Sequence, residues 1–241
     1  MLRSARSVRN RVVGEAGRCG DELAAIRAAG PSTSPIVAVV WSAATVVWGN
    51  GVVGAGRAFG HDQMITLIAV PLFGLAGWGW LARRGFRREA IGIRFPRVDR
   101  AGLLTVPTVV AAVVVALGTM AGLATSAHEM RGLRTIRTIV GTAFGEELIH
   151  RGVLLTLWAS TGVRAWVVLA ANMVGFGAWH VAGASCGGFR PADVLWPTIG
   201  AVLFVWLRLR FRSIWAPVAV HGLNVLGVFR PPKPPCPSPW G

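Results

Sequence analysis

Four side chains able to do chemistry crowd one apolar stretch of this sequence. Residues 138–158, TIVGTAFGEELIHRGVLLTLW, contain Glu146, Glu147, His150 and Arg151. As helix, Glu147 and Arg151 fall one turn apart in the acid-before-base order that favours pairing. Glu146 lies about 100° further round the axis, with His150 as its own i+4 neighbour. One division of labour spends Glu147 on Arg151 and leaves Glu146 for acid or base work on water. The alternative is a single inert network of all four that fixes helix packing.

Two later apolar stretches carry further polar residues. FGAWHVAG puts Phe176 and His180 on one helix face, with the phenyl ring able to pack beneath the imidazole. The bland reading of His180 is an amphipathic residue near a membrane interface. APVAVHGLNVLG puts His221 and Asn224 three apart on one side of a helix. That pair reads equally well as interhelical glue, worth only about 0.6 kcal/mol.

The stretches that must position these residues are long and apolar. A bilayer core of about 30 Å takes roughly 17–25 residues of helix to cross. Runs of that kind occur at 36–56, 64–82, 101–127, 138–158, 165–181, 194–209 and 213–229. None alternates as a barrel strand does. The sixth is short and holds Pro197, which a membrane helix tolerates when its neighbours satisfy the freed backbone. The expectation is an all-α fold, a polytopic transmembrane helical bundle of about seven spans. Within it, two carboxylates and a guanidinium near mid-span cost about 8–10 kcal/mol against lipid. They must therefore face the bundle interior or a wet cavity.

Composition agrees with membrane residence. The chain is 53% hydrophobic and 15% charged over 241 residues, whereas soluble domains carry about 25% charged residues. Its net charge of +15 is almost wholly arginine, with Lys233 the single lysine. These arginines cluster between apolar runs, the pattern that orients membrane proteins, and not on a nucleic-acid-reading face. The expected partners are the lipid bilayer, with its anionic headgroups, and no nucleic acid. Residues 83–100 hold seven arginines, and Arg208, Arg210 and Arg212 follow the sixth run. Placing these inside gives a cell-membrane protein with a cytoplasmic N-terminus. Residues 1–34 then form a basic cytoplasmic arm, partly helical and unlike a secretory signal. Residues 35–229 form the membrane domain, and 230–241 a proline-rich tail. The cysteines Cys19, Cys186 and Cys236 have no zinc-ribbon spacing.

Taken in order, the polar residues resemble the motifs of the CPBP family, the CaaX-protease and bacteriocin-processing (Abi-type) intramembrane proteases. EExxxR matches Glu146, Glu147 and Arg151, and FxxxH matches Phe176 and His180. HxxxN matches at His221 only, because Val225 stands at the asparagine position and Asn224 comes one residue early. The resemblance implies hydrolysis of peptide bonds in membrane-associated, CaaX-like or bacteriocin-like, peptides. It casts Glu146 as base, His180 as its partner, and His221 with Asn224 as oxyanion donors. Glu147 and Arg151 hold the helix in register. Glu146, His180 and His221 are also a donor set for a divalent metal such as Zn²⁺, but no HExxH is present, and the metal-free mechanism is preferred. Two other readings stay open: a non-catalytic relative acting as membrane scaffold or immunity protein, and a proton-coupled transporter using the paired carboxylates.

Overall fold

The computed structural model describes residues 17–59, 62–94, 137–181 and 191–223. Expectations about the run at 101–127, about Asn224 and about the tail lie outside the described residues. Helix is the only regular structure among those described. The elements are α1 (residues 17–28), α2 (Pro35–Phe59), α3 (Asp62–Arg83), α4 (Arg88–Ile91), α5 (residues 137–160), α6 (Ala165–Trp179), α7 (Pro191–Phe211) and α8 (Trp215–Leu223).

Three stretches are long and apolar enough to cross a membrane: Pro35–Gly56, Ile65–Arg83 and Val194–Phe211. Their outer faces are the reverse of a soluble protein's. Ile36, Val47, Leu72 and Trp196 are each more than half exposed, which lipid accepts and water penalises. Pro71 and Pro197 are carried inside α3 and α7 without ending either helix. α6 is apolar but only 15 residues long, about 22 Å at 1.5 Å per residue.

The helix that bears the carboxylates has an unusual course. α5 is π-helical over Arg137–Phe144 and Leu148–Leu154, with α-helical Gly145–Glu147 between them. Such widened turns recur at functional sites. Asn172 of α6 donates its amide to the His150 carbonyl at 2.7 Å, satisfying one buried backbone group of this stretch. Two glycines one turn apart bring α5 against α3. A Cβ on Gly141 would sit 2.9 Å from Leu67 Cα, and one on Gly145 would sit 2.8 Å from Val70 Cγ1. This small-xxx-small face allows the close backbone approach on which membrane helices rely.

α1 is docked on the body of the fold. Its Leu23 and Ile26 join the same core as Leu81, Ile91, Leu148 and Leu155. Arg27 reaches across to donate to the Ala159 and Val163 carbonyls at 3.0 and 3.1 Å, a cation on the C-terminal end of α5. The segment expected as a partly helical arm thus supplies core side chains. A second apolar cluster, Phe176, Ala201, Phe204, Leu207 and Phe211, joins α6 to α7.

Candidate active site

α5, α6 and α8 deliver the polar residues to one place. Glu146 and Glu147 stand on the short α-helical segment of α5 and are buried, as is Arg151 one turn on. His180 follows the last residue of α6, and His221 lies near the end of α8. The structure therefore brings together Glu146, Glu147, Arg151, His180 and His221; Asn224 lies outside the described residues.

Two imidazoles face the same carboxylate oxygen. His180 Nε2 is 3.7 Å and His221 Nε2 is 3.8 Å from Glu146 Oε2. Both separations exceed a direct hydrogen bond and suit a bridging water. Each ring is fixed through its other nitrogen. His180 Nδ1 lies 2.7 Å from the Phe176 carbonyl, and His221 Nδ1 lies 2.8 Å from Glu147 Oε1. A carbonyl and a carboxylate only accept, so both Nδ1 atoms carry protons. In a neutral ring the Nε2 that faces Glu146 then bears a lone pair. Donating a hydrogen bond from that nitrogen requires the imidazolium form.

Glu147 serves two partners. Its Oε1 accepts from Arg151 NH1 at 3.1 Å, the pairing expected from their spacing, and also from His221. The second contact was not legible from spacing, because the residues are 74 apart in sequence. His150 packs among aromatic rings. Its ring meets Phe176 and Trp179 edge-on at 4.9 and 5.4 Å, and among the described residues neither nitrogen has a hydrogen-bond partner.

Phe176 is the hub of the site. Its ring lies 4.7 Å from His180, 5.8 Å from His221 and 4.1 Å from the Arg151 guanidinium carbon. Phe204 of α7 closes the other side, stacked on His221 at 5.0 Å and 4.9 Å from Arg151. Arg151 is thus held by one carboxylate and two aromatic faces. Phe204, Asn172 and the Gly141–Gly145 pair went unnoticed in the sequence. Only the glycines carried a readable signal, the GTAFG spacing.

The donor types suit Zn²⁺. As placed, however, no group of three or more His, Cys, Asp or Glu among the described residues is disposed to hold a metal ion. No step below runs through one.

Comparison with known proteins follows the same residues. Residues 129–227 match the family described as Type II CAAX prenyl endopeptidase Rce1-like. The matched stretch, under half the chain, includes Glu146, Glu147, Arg151, His180 and His221. That match supports a CPBP-family intramembrane protease domain, of the CAAX-type endopeptidase class, in this region. No curated protein and no solved structure matches the chain.

Proposed function

We propose that the protein is a multi-pass cell-membrane endopeptidase that hydrolyses membrane-associated, CaaX-like or bacteriocin-like, peptides with water activated by Glu146. The observation that carries this reading is the approach of two imidazole Nε2 atoms to one Glu146 oxygen, at 3.7 and 3.8 Å. A water held there sits beside a base and two orienting rings. His180, with a side chain 23% exposed, marks the open side from which water and peptide arrive.

In the first step Glu146 takes a proton from the water as its oxygen attacks the scissile carbonyl carbon. The carbonyl π pair moves onto oxygen and leaves a tetrahedral oxyanion. His221 donates to that oxyanion from Nε2 in its imidazolium form, held from behind by Glu147. Preorganised donors of this kind supply the largest part of acyl-transfer catalysis. Collapse of the oxyanion breaks the C–N bond, and the proton held by Glu146 passes to the leaving nitrogen. His180 orients the water and the Glu146 carboxyl throughout. Asn224 is proposed as a second oxyanion donor, close to His221 in sequence.

The test is proteolysis by purified protein in detergent against prenylated and unprenylated membrane peptides, with products mapped by mass spectrometry. Discrete cleavage that depends on Glu146 supports the proposal. Intact peptides with well-folded protein would favour a non-catalytic relative, with Val225 at the usual asparagine position the first suspect.

A further inference from the structure

A second cluster of buried charge lies away from Glu146, where α1, α4 and the end of α7 meet. Glu22 of α1 is 3% exposed and faces three arginines. Arg94 NH2 and Arg208 NH1 lie 3.4 and 3.5 Å from its Oε1, and Arg212 Nε lies 3.0 Å from its Oε2. Arg208 is fully buried, and its NH1 faces only the Glu22 carboxylate among the described ion pairs. Its NH2 donates to the Ala90 carbonyl at 2.6 Å. Beside the cluster is a cavity of about 90 Å³ whose walls include Glu22, Ile26, Glu89, Arg94 and Arg212. Glu89, the other carboxylate of that wall, is exposed and paired with Arg88 at 3.2 Å.

Among the described residues the charges do not close. Within that set one buried carboxylate is set against the fully buried Arg208 and the partly exposed Arg94 and Arg212, and the desolvation cost of Arg208 falls when a further anion is present. The backbone is also committed to it. Arg212 ends α7 at φ +54°, the left-handed conformation that glycine adopts more cheaply. Arg94 Nε donates to the Arg212 carbonyl at 2.6 Å, and Ser213 Oγ donates to the Arg94 carbonyl at 2.5 Å. The guanidiniums are thereby fixed at the rim of the cavity.

Position selects the anion. The candidate spans begin at Pro35 and end at Arg83 and Phe211. The cavity residues fall immediately beyond these three ends, at 22–29, 89–94 and 212. That is the depth of the lipid headgroups, and exposed Arg84, Arg87 and Arg88 stand nearby in sequence. We propose that this cavity binds the phosphate of one anionic phospholipid headgroup, with Arg94 and Arg212 as direct ligands and Arg208 as the buried charge beneath. The lipid fastens α1 to the end of α7. This site is independent of the chemistry at Glu146 and rests only on membrane residence.

Native mass spectrometry of the full chain tests it, using phosphatidylglycerol and phosphatidylcholine with the same acyl chains. Wild type is expected to retain one phosphatidylglycerol with about tenfold preference, the size of a lost charge-assisted contact. The Arg94→Gln/Arg212→Gln variant is expected to retain the two lipids equally. Because Arg94 also holds the Arg212 carbonyl, Glu22→Gln supplies a second arm. With the internal carboxylate gone, the rise in melting temperature on adding phosphatidylglycerol is expected to exceed that of wild type. Inorganic phosphate added to lipid-stripped protein separates the sources, since the lipid site expects it to give less stabilisation than phosphatidylglycerol. Equal retention by wild type, unchanged preference in the double variant, no larger rise in Glu22→Gln, or equal protection by phosphate would each overturn the proposal.

Discussion

His221 Nδ1 and Glu147 Oε1, 2.8 Å apart, join α8 to α5 across 74 residues of sequence. The contact fixes the imidazole so that Nε2 faces Glu146, and it makes Glu147 the shared counter-charge of His221 and Arg151. Removing any member leaves the others unbalanced, because Glu147, Arg151 and His221 are all buried.

The first consequence concerns stability. Arg151→Met and Glu147→Met are each expected to cost about 3–5 kcal/mol, because each strands a buried charge. The double variant should recover part of that loss, since Arg151 also packs on Phe176 and Phe204 through a shape that methionine half fills. Thermal unfolding in detergent reads this directly. A double variant no more stable than either single one would mean that the two residues do not act as a pair.

His150 leads to the opposite expectation. Among the described residues both of its nitrogens lack hydrogen-bond partners, and its ring packs edge-on against Phe176 and Trp179. His150→Phe should therefore change stability by less than about 1.5 kcal/mol, as volume-conserving core swaps do. Cleavage rates should stay within severalfold of wild type. A large loss of activity in a stable variant would place His150 in the chemistry.

Close approach of α5 to α3 depends on Gly145. Gly145→Ala puts a methyl 2.8 Å from Val70 Cγ1 and 3.0 Å from Pro71 N. The backbone cannot yield as a flexible side chain would, so a cost of about 1–3 kcal/mol is expected. Because Glu146 is the next residue, activity should fall further than stability. Equal activity per folded molecule would show that the carboxylate tolerates the shift.

Topology follows from arginine placement. Exposed Arg83, Arg84, Arg87 and Arg88 are expected on the cytoplasmic side. A single cysteine introduced at Arg87 in a cysteine-free background should resist an impermeant maleimide in whole cells and react in inverted vesicles. Labelling in intact cells would reverse the orientation.

What could be read from the sequence follows physical range. Glu147 with Arg151, and Phe176 with His180, are one-turn neighbours, so helical periodicity alone put each pair on one face. Long apolar runs foretold the helices at Pro35–Gly56 and Ile65–Arg83, and Val194–Phe211 formed despite Pro197. The Glu147–His221 bond, the turn of His150 toward Trp179 and the meeting of Glu22 with three arginines were not legible. Each depends on how separate helices pack, and no local period encodes that. The π-helical winding of α5 was hidden for a related reason, since the fit of Gly141 and Gly145 against α3 belongs to the packed helix pair.

The central claim is that Glu146 activates water between His180 and His221, and single-turnover cleavage of a bound membrane peptide by Glu146→Gln tests it most directly. Glutamine keeps the size and hydrogen-bonding reach of the side chain and removes the base. The account expects the bond-breaking rate to fall by about 10²–10⁴, the usual contribution of a positioned acid or base, with peptide affinity and melting temperature near wild type. Cleavage by Glu146→Gln at a rate close to wild type would contradict it.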